Sequence, residues 1–328
     1  MPKKVLITRI IPTLAYNLLT KAGFDVTVWD GDGPMTQPQL IERAKNVNAL
    51  LSLGADKLDE HFFNECSHLD IVAQFAVGYD NIDIAAATRR KIPVGNTPDV
   101  LSDATADIAF GLMIATSRKM FHHHKRIELG EWRHFQPLKD LGIELTRKTL
   151  GIFGMGRIGM VMAQRCKGAY NMDVIYHNRT RNEEAEKNLN ARWVTFDELL
   201  QQSDVLSVHS VLSNETKGIF NKNAFSKMKK NAIFINTSRG GVHNEHDLTD
   251  ALQNGTIWGA GLDVTNPEPM LRTNILLNMP NVSILPHIGS ATVEARDGMA
   301  RLAAENIIEF YATGNVPHCV NREVLKKK

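Results

Sequence analysis

Cysteine is scarce in this sequence, long apolar runs are missing, and neither sign of charge predominates. The three cysteines among 328 residues, Cys66, Cys166 and Cys319, are scattered, odd in number and without metal-ligand spacing. That argues against a disulfide framework, gives no metal site to expect, and fits a reducing compartment, so a cytoplasmic location is the expectation. A formal net charge of +2 is too small to announce a polyanion partner, and no basic run interleaved with aromatics marks nucleic-acid binding. The most apolar window, "ADIAFGLMIAT", is too short and too rich in small residues to span a bilayer, so no membrane association is expected. "MPKKVLITRI" runs straight into a β-type stretch, with neither a signal-peptide core nor a transit-peptide composition. Consecutive His122, His123 and His124 invite a metal reading, but adjacent helical residues point in different directions, which favours a solvated face.

What is present is an ordinary globular composition, 43% hydrophobic and 23% charged, in a chain long enough for two domains. Short β-branched runs alternate with helical patterns almost throughout, which predicts an α/β fold with two doubly wound parallel sheets. The first series comprises "KVLITR", "DVTVWD", "ALLSLG", "DIVAQFAVG" and "IPVGN", with no glycine fingerprint. A small-residue helix in "NTPDVLSDATADIAFGLMIATSRKM" then leads out of one domain and into the next. The second series begins at "KTLGIFGMGRIG" and continues through "DVIYHN", "DVLSVHS", "NAIFINTS", "IWGAGLDV" and "NVSILPHIG". A long helix in "TVEARDGMARLAAENIIEFYATG" follows.

"LGIFGMGRIGMVMAQRC" places Gly154, Gly156 and Gly159, with Arg157 and Ile158 between them, after an apolar strand and at a helix start. A tight turn, close approach of backbone to pyrophosphate and close helix–strand packing each require a glycine, and the helix N-terminus offers N–H groups to phosphate. About 20 residues on, the second strand should end in Asp or Glu, to hold the ribose hydroxyls of NAD. Here stand Asn178, Arg179, Thr180 and Arg181. Asn178 removes the repulsion a carboxylate would exert on a 2′-phosphate, and the two arginines and the threonine hydroxyl offer bonds to one. NADP (as NADPH) is therefore the expected cofactor, with NAD possible at lower preference. The alternative is that "RTRNEE" is a solvated loop of mixed charge.

Over nearly its whole length the chain resembles the D-isomer-specific 2-hydroxyacid dehydrogenases, most of all the glyoxylate/hydroxypyruvate reductases. The resemblance rests on "QFAVGYDNID", "NTPDVLSDATAD", "GEWRHFQPL", "GIFGMGRIG", "YHNRTR", "INTSRGG", "GLDVTNPEP" and "LPHIGSAT". It implies two Rossmann-like domains with the active site in the cleft between them. Residues 1–99 plus 288–328 would form the substrate domain, and 100–287 the dinucleotide-binding domain. Arg239 resembles the arginine that holds the substrate carboxylate and keto oxygen, His287 the proton donor, and Glu268 its acid partner. Leu53 resembles a pocket wall, Val77 and Gly78 a carboxylate-binding loop, and Ser290 a substrate-side hydroxyl. Thr105, Thr237, Val211 and Asp263 resemble cofactor-side positions, Asp263 facing the nicotinamide amide. Trp132 and Phe135 fall where the family reaches across a homodimer interface, simple burial being the alternative.

The chemistry agrees with those roles. Reducing a 2-keto acid needs a hydride at carbon and a proton at oxygen; histidine suits the proton, and a guanidinium fork suits the carboxylate. Departures from the family pattern are Val211 at a position usually proline, His243 where a small apolar residue is usual, and "MLRTNILLN" after the acid. The expected activity is NADPH-dependent reduction of glyoxylate and hydroxypyruvate. Reduction of another 2-keto acid remains open, as does a dinucleotide-sensing, corepressor-like binding protein on the same scaffold.

Overall fold

The computed structural model describes residues 1–325, which divide into two compact units, residues 1–101 with 290–325 and residues 102–289. The division lies two residues beyond each of the expected breaks at 99 and 287.

The first unit is a parallel sheet of β1 (Lys4–Ile7), β2 (Asp25–Val28), β3 (Ala49–Ser52), β4 (Ile71–Gln74) and β5 (Val94–Gly95), in the order β2-β1-β3-β4-β5. Between the strands run α1 (Thr13–Lys21), α2 (Gln37–Ala44), α3 (Glu60–Glu65) and α4 (Ile84–Arg89). The central strands β3 and β4 are buried at every position, which is why they read as continuous apolar runs rather than as alternation. Short polar residues set the helix starts: Asp59 and Asp83 each accept a backbone N–H at the head of α3 and α4. A cap of this kind stabilises by about 1 kcal/mol.

The second unit holds α5 (Ser102–Ser117) and α6 (Met120–Glu128), then β6 (Thr149–Phe153), α7 (Arg157–Tyr170), β7 (Asp173–His177), α8 (Glu183–Leu189), β8 (Arg192–Trp193), α9 (Phe196–Gln202) and β9 (Val205–Val208). It continues with α10 (Lys222–Lys227), β10 (Ile233–Asn236), α11 (Glu245–Gln253), β11 (Gly259–Leu262) and β12 (Val282–Ile284). The parallel order is β12-β11-β10-β9-β6-β7-β8. Chain order reverses between β6 and β9, the switch point at which doubly wound sheets bind ligands. One face buries Phe220, Phe225, Phe234 and Leu248; the other packs α5 and α7 through Leu112, Met113, Ile152, Met162 and Cys166.

Helix α12 (Val293–Thr313) returns to the first unit and packs on α1 and β4. The segment after it pairs with β5 through a bridge from Cys319 to Gly95 and a hydrogen bond from Val94 N–H to Asn321 Oδ1 at 2.8 Å. Among the described residues no helix is long and apolar enough to cross a membrane, and no group of acidic, histidine or cysteine side chains is arranged to hold a metal.

Candidate active site

At the switch point, Gly154 follows β6 with φ +98°, and a Cβ there would lie 2.6 Å from the Ser210 backbone nitrogen. Both facts demand glycine. Gly156 caps α7 in an extended conformation with open space where a side chain would stand, and Gly159 packs against the Gly154 carbonyl. Asn178, at the end of β7, pins this turn. Its Oδ1 accepts from Met155 N–H at 2.7 Å, and its Nδ2 donates to the Met155 carbonyl at 3.2 Å. The Ser210 and Thr237 hydroxyls, just past the ends of β9 and β10, are buried and have no hydrogen-bond partner among the described residues. Buried polar atoms are normally satisfied, so an orphaned Ser210 hydroxyl beside the glycine turn, with a second at Thr237 past a strand of the same sheet, suits a polar ligand such as a dinucleotide. Ser210 carries no signal in the sequence, because its orphaned state depends on what folds around it.

Beyond Asn178, Arg179 is 84% exposed at the side chain and pairs loosely with Glu215 at 3.3 Å. Thr180 is also exposed. Arg181 is engaged more firmly, donating to both carboxylate oxygens of Glu186 at 2.9 and 2.6 Å. Glu186 also accepts from the phenol of the buried Tyr176 at 2.7 Å. The Arg181 hydrogen bond, with that of Tyr176, holds the Glu186 carboxyl below its ordinary value. Each arginine therefore has its own acid, which the run "RTRNEE" only half discloses: Glu215 comes from another loop.

A second cluster forms where the turns after β10, β11 and β12 meet. Arg239 precedes a 3-10 turn, Gly240–Val242, whose first residue packs on the segment carrying Glu268. A Cβ at Gly240 would meet the Thr265 carbonyl at 1.9 Å, so glycine lets the two turns touch. Glu245, at the start of α11, ties down the same segment, accepting from Asn266 N–H at 2.8 Å and from Asn274 Nδ2 at 2.7 Å. His287 Nδ1 lies 2.5 Å from Glu268 Oε1. Burial raises the Glu268 carboxyl, but the His287 hydrogen bond and charge, the Thr265 backbone and the charge of Arg239 outweigh it and leave the group below its ordinary value. The structure thus joins His287 to Glu268 directly and puts Arg239 within electrostatic reach.

His287 adopts a left-handed backbone at φ +54°, which costs a non-glycine residue about 1–3 kcal/mol unless its surroundings impose it. Asp263 imposes it. The Asp263 carbonyl accepts from His287 N–H at 2.9 Å, and its two carboxylate oxygens accept from Ile288 and Gly289 N–H at 2.8 and 2.7 Å. Asp263 is 1% exposed, and burial raises its carboxyl against those bonds. Expected to face a cofactor amide, it visibly clamps the turn that aims His287. Thr105, in the first turn of α5, lies against Gly289.

Val211 is 62% exposed; its turn is held by Thr216, whose hydroxyl donates to the Val211 carbonyl at 2.7 Å and accepts from Ser213 N–H at 2.8 Å, so proline is not needed there. In the first unit, Leu53 is half-buried after β3, with its N–H given to Asp56 at 2.8 Å. The Val77 carbonyl accepts from Asn96 Nδ2 at 2.9 Å, and that of Gly78 from Gln74 Nε2 at 3.4 Å. With its carbonyls turned inward, this loop can offer its N–H groups to an anion. Ser290 is half-buried ahead of α12. Trp132 and Phe135 are 71% and 86% exposed, so burial within the chain does not explain them.

A family model described as D-isomer specific 2-hydroxyacid dehydrogenase, NAD binding domain, matches residues 110–289. A glyoxylate reductase of Thermococcus litoralis is 45% identical over 99% of this chain and 98% of its own length, and one of Pyrococcus furiosus is 44% identical over 99% and 97%. Among solved structures, an NADPH-dependent glyoxylate/hydroxypyruvate reductase from Sinorhizobium meliloti, in complex with NADP and malonate, superposes with a TM-score of 0.87 at 31% identity, covering 100% of this chain and 99% of that one.

Proposed function

This chain belongs to the D-isomer-specific 2-hydroxyacid dehydrogenase family, and on that premise we propose that it reduces glyoxylate and hydroxypyruvate to glycolate and D-glycerate, preferring NADPH to NADH. The observation that carries this reading is the His287–Glu268 bond on a turn clamped by Asp263. A carboxylate accepting from Nδ1–H orients the ring and turns Nε2 outward, so that a proton bound at Nε2 is the one given to the keto oxygen, the ring keeping its Nδ1–H. Arg239 holds the substrate carboxylate with its guanidinium fork and polarises the carbonyl. On the family resemblance, Val77 and Gly78 would serve the substrate carboxylate, and Leu53 and Ser290 the substrate side. The glycine turn from Gly154 to Gly159, including Arg157 and Ile158, receives the pyrophosphate; Thr105, Thr237, Val211 and Asp263 border the rest of the dinucleotide. A bound reduced nicotinamide supplies the hydride.

NADPH preference is supported by the lack of a carboxylate at Asn178, by the exposed Arg179 and Thr180, and by the NADP bound to the Sinorhizobium relative. The three unpaired, buried thiols suit a reducing cytoplasm. Phe121, Ile127, Leu129, Trp132, Phe135 and Leu138, all exposed, suit a homodimer contact; light scattering should return twice the chain mass, and a single-chain mass removes that part of the proposal. Initial rates over a panel of 2-keto acids, with each reduced cofactor, test the activity. Glyoxylate and hydroxypyruvate with NADPH should lead the panel. A larger 2-keto acid in first place reassigns the substrate, and dinucleotide binding without turnover of any acid supports the sensor reading.

A further inference from the structure

Beneath the Arg239 turn lies a buried polar hub. Asn236, fully buried at the end of β10, accepts at Oδ1 from the Ser238 N–H at 2.9 Å and hydroxyl at 2.8 Å; its Nδ2 donates to the Arg239 carbonyl at 2.9 Å and meets His243 Nδ1 at 3.0 Å. An amide has two hydrogens and two lone pairs, and every one is used. Turning it over would set its oxygen against the Arg239 carbonyl, so its orientation is fixed and His243 Nδ1 must be the acceptor. The ring proton then sits on Nε2, which is buried and has no partner among the described residues. His243 is 1% exposed, and burial pushes it down to about 4, so the ring stays neutral and the Nδ1 lone pair stays available. An apolar side chain at this position would leave one Asn236 hydrogen buried without an acceptor.

We infer that His243 is a positioning residue for substrate binding: through Asn236 it fixes the backbone of Ser238 and Arg239, and so aims the guanidinium. This rests on the reading of Arg239 as the group that holds the substrate carboxylate. In His243→Asn the new side-chain oxygen takes the place of Nδ1 and keeps the acceptor; His243→Gln carries its amide past that place, and His243→Leu has none. With the full chain and its best 2-keto acid, the Gln and Leu variants should raise the KM for that acid about tenfold, the worth of one hydrogen bond, while the KM for NADPH stays unchanged. His243→Asn should return the acid's KM to the parent value. Equal behaviour of Asn and Gln, or an unchanged KM for the acid, overturns the inference; if the Leu variant does not fold, the Asn–Gln pair decides. Arg239→Lys separates the two layers. If it leaves the acid's KM unchanged, the carboxylate reading falls and takes this inference with it; if it raises that KM while His243→Gln does not, only the hub's role falls.

Discussion

Single side chains decide both ends of the proposed chemistry. Arg179→Ala combined with Asn178→Asp should lower kcat/KM for NADPH by about tenfold or more, the worth of one charged hydrogen bond, and raise it for NADH; equal ratios before and after remove the 2′-phosphate contact. Glu268→Gln should cut kcat by roughly a hundredfold, since a neutral amide no longer sets a negative charge against the ring that delivers the proton. That variant also reads out linkage. The folded Glu268 carboxyl lies below its unfolded value, so its stabilising contribution is present above the ordinary carboxylate range and is lost as pH falls through the depressed folded value. The melting temperatures of parent and Glu268→Gln should therefore differ at neutral pH and converge in acid. The residue types at 239, 268 and 287 were readable from their motifs. The glutamates that engage Arg179 and Arg181 were not, because Glu215 and Glu186 are chosen by how loops and helices fold together.

At the scale of elements, the site depends on turns that touch. Gly240→Ala would force a methyl into the Thr265 carbonyl and push apart the segments carrying Arg239 and Glu268. Activity should fall at least about tenfold, the consequence of small misplacements at a reacting centre, while the secondary structure seen by circular dichroism is kept. Full activity would mean that these turns have room to move. The strands flanking both sites were legible because buried parallel strands are uniformly apolar. Strand β8, of two residues, left no such trace, nor did helices of six residues such as α3, α4 and α10, too short to display a periodic face. The clamp from Asp263 to residues 287–289 joins the ends of β11 and β12, and "GLDV" and "LPHIG" each show only half of it.

For the whole molecule, burial of His243 makes stability sensitive to acid. Its folded value, about 4, lies below its unfolded value, so the unfolded chain binds the extra proton as pH drops. Stability is complete above the ordinary histidine range and declines from there toward pH about 4. Thermal unfolding across that window should show the decline, and His243→Asn, which cannot titrate, should make it shallower, the remainder belonging to His209, which burial also pushes down to about 4; an equally steep curve would assign the acid sensitivity to His209 and other groups. The alternating pattern disclosed two sheets, but the pairing of β5 with the segment around Cys319 needs residues more than two hundred positions apart, beyond any local signal. That pairing bears on biosynthesis. The unit of residues 102–289 is continuous and leaves the ribosome entire, whereas its companion waits for α12 and the strand edge beyond it. A nascent chain halted before that helix would carry a finished nucleotide fold beside a half-built neighbour, whose uncovered apolar face is the natural target for a chaperone.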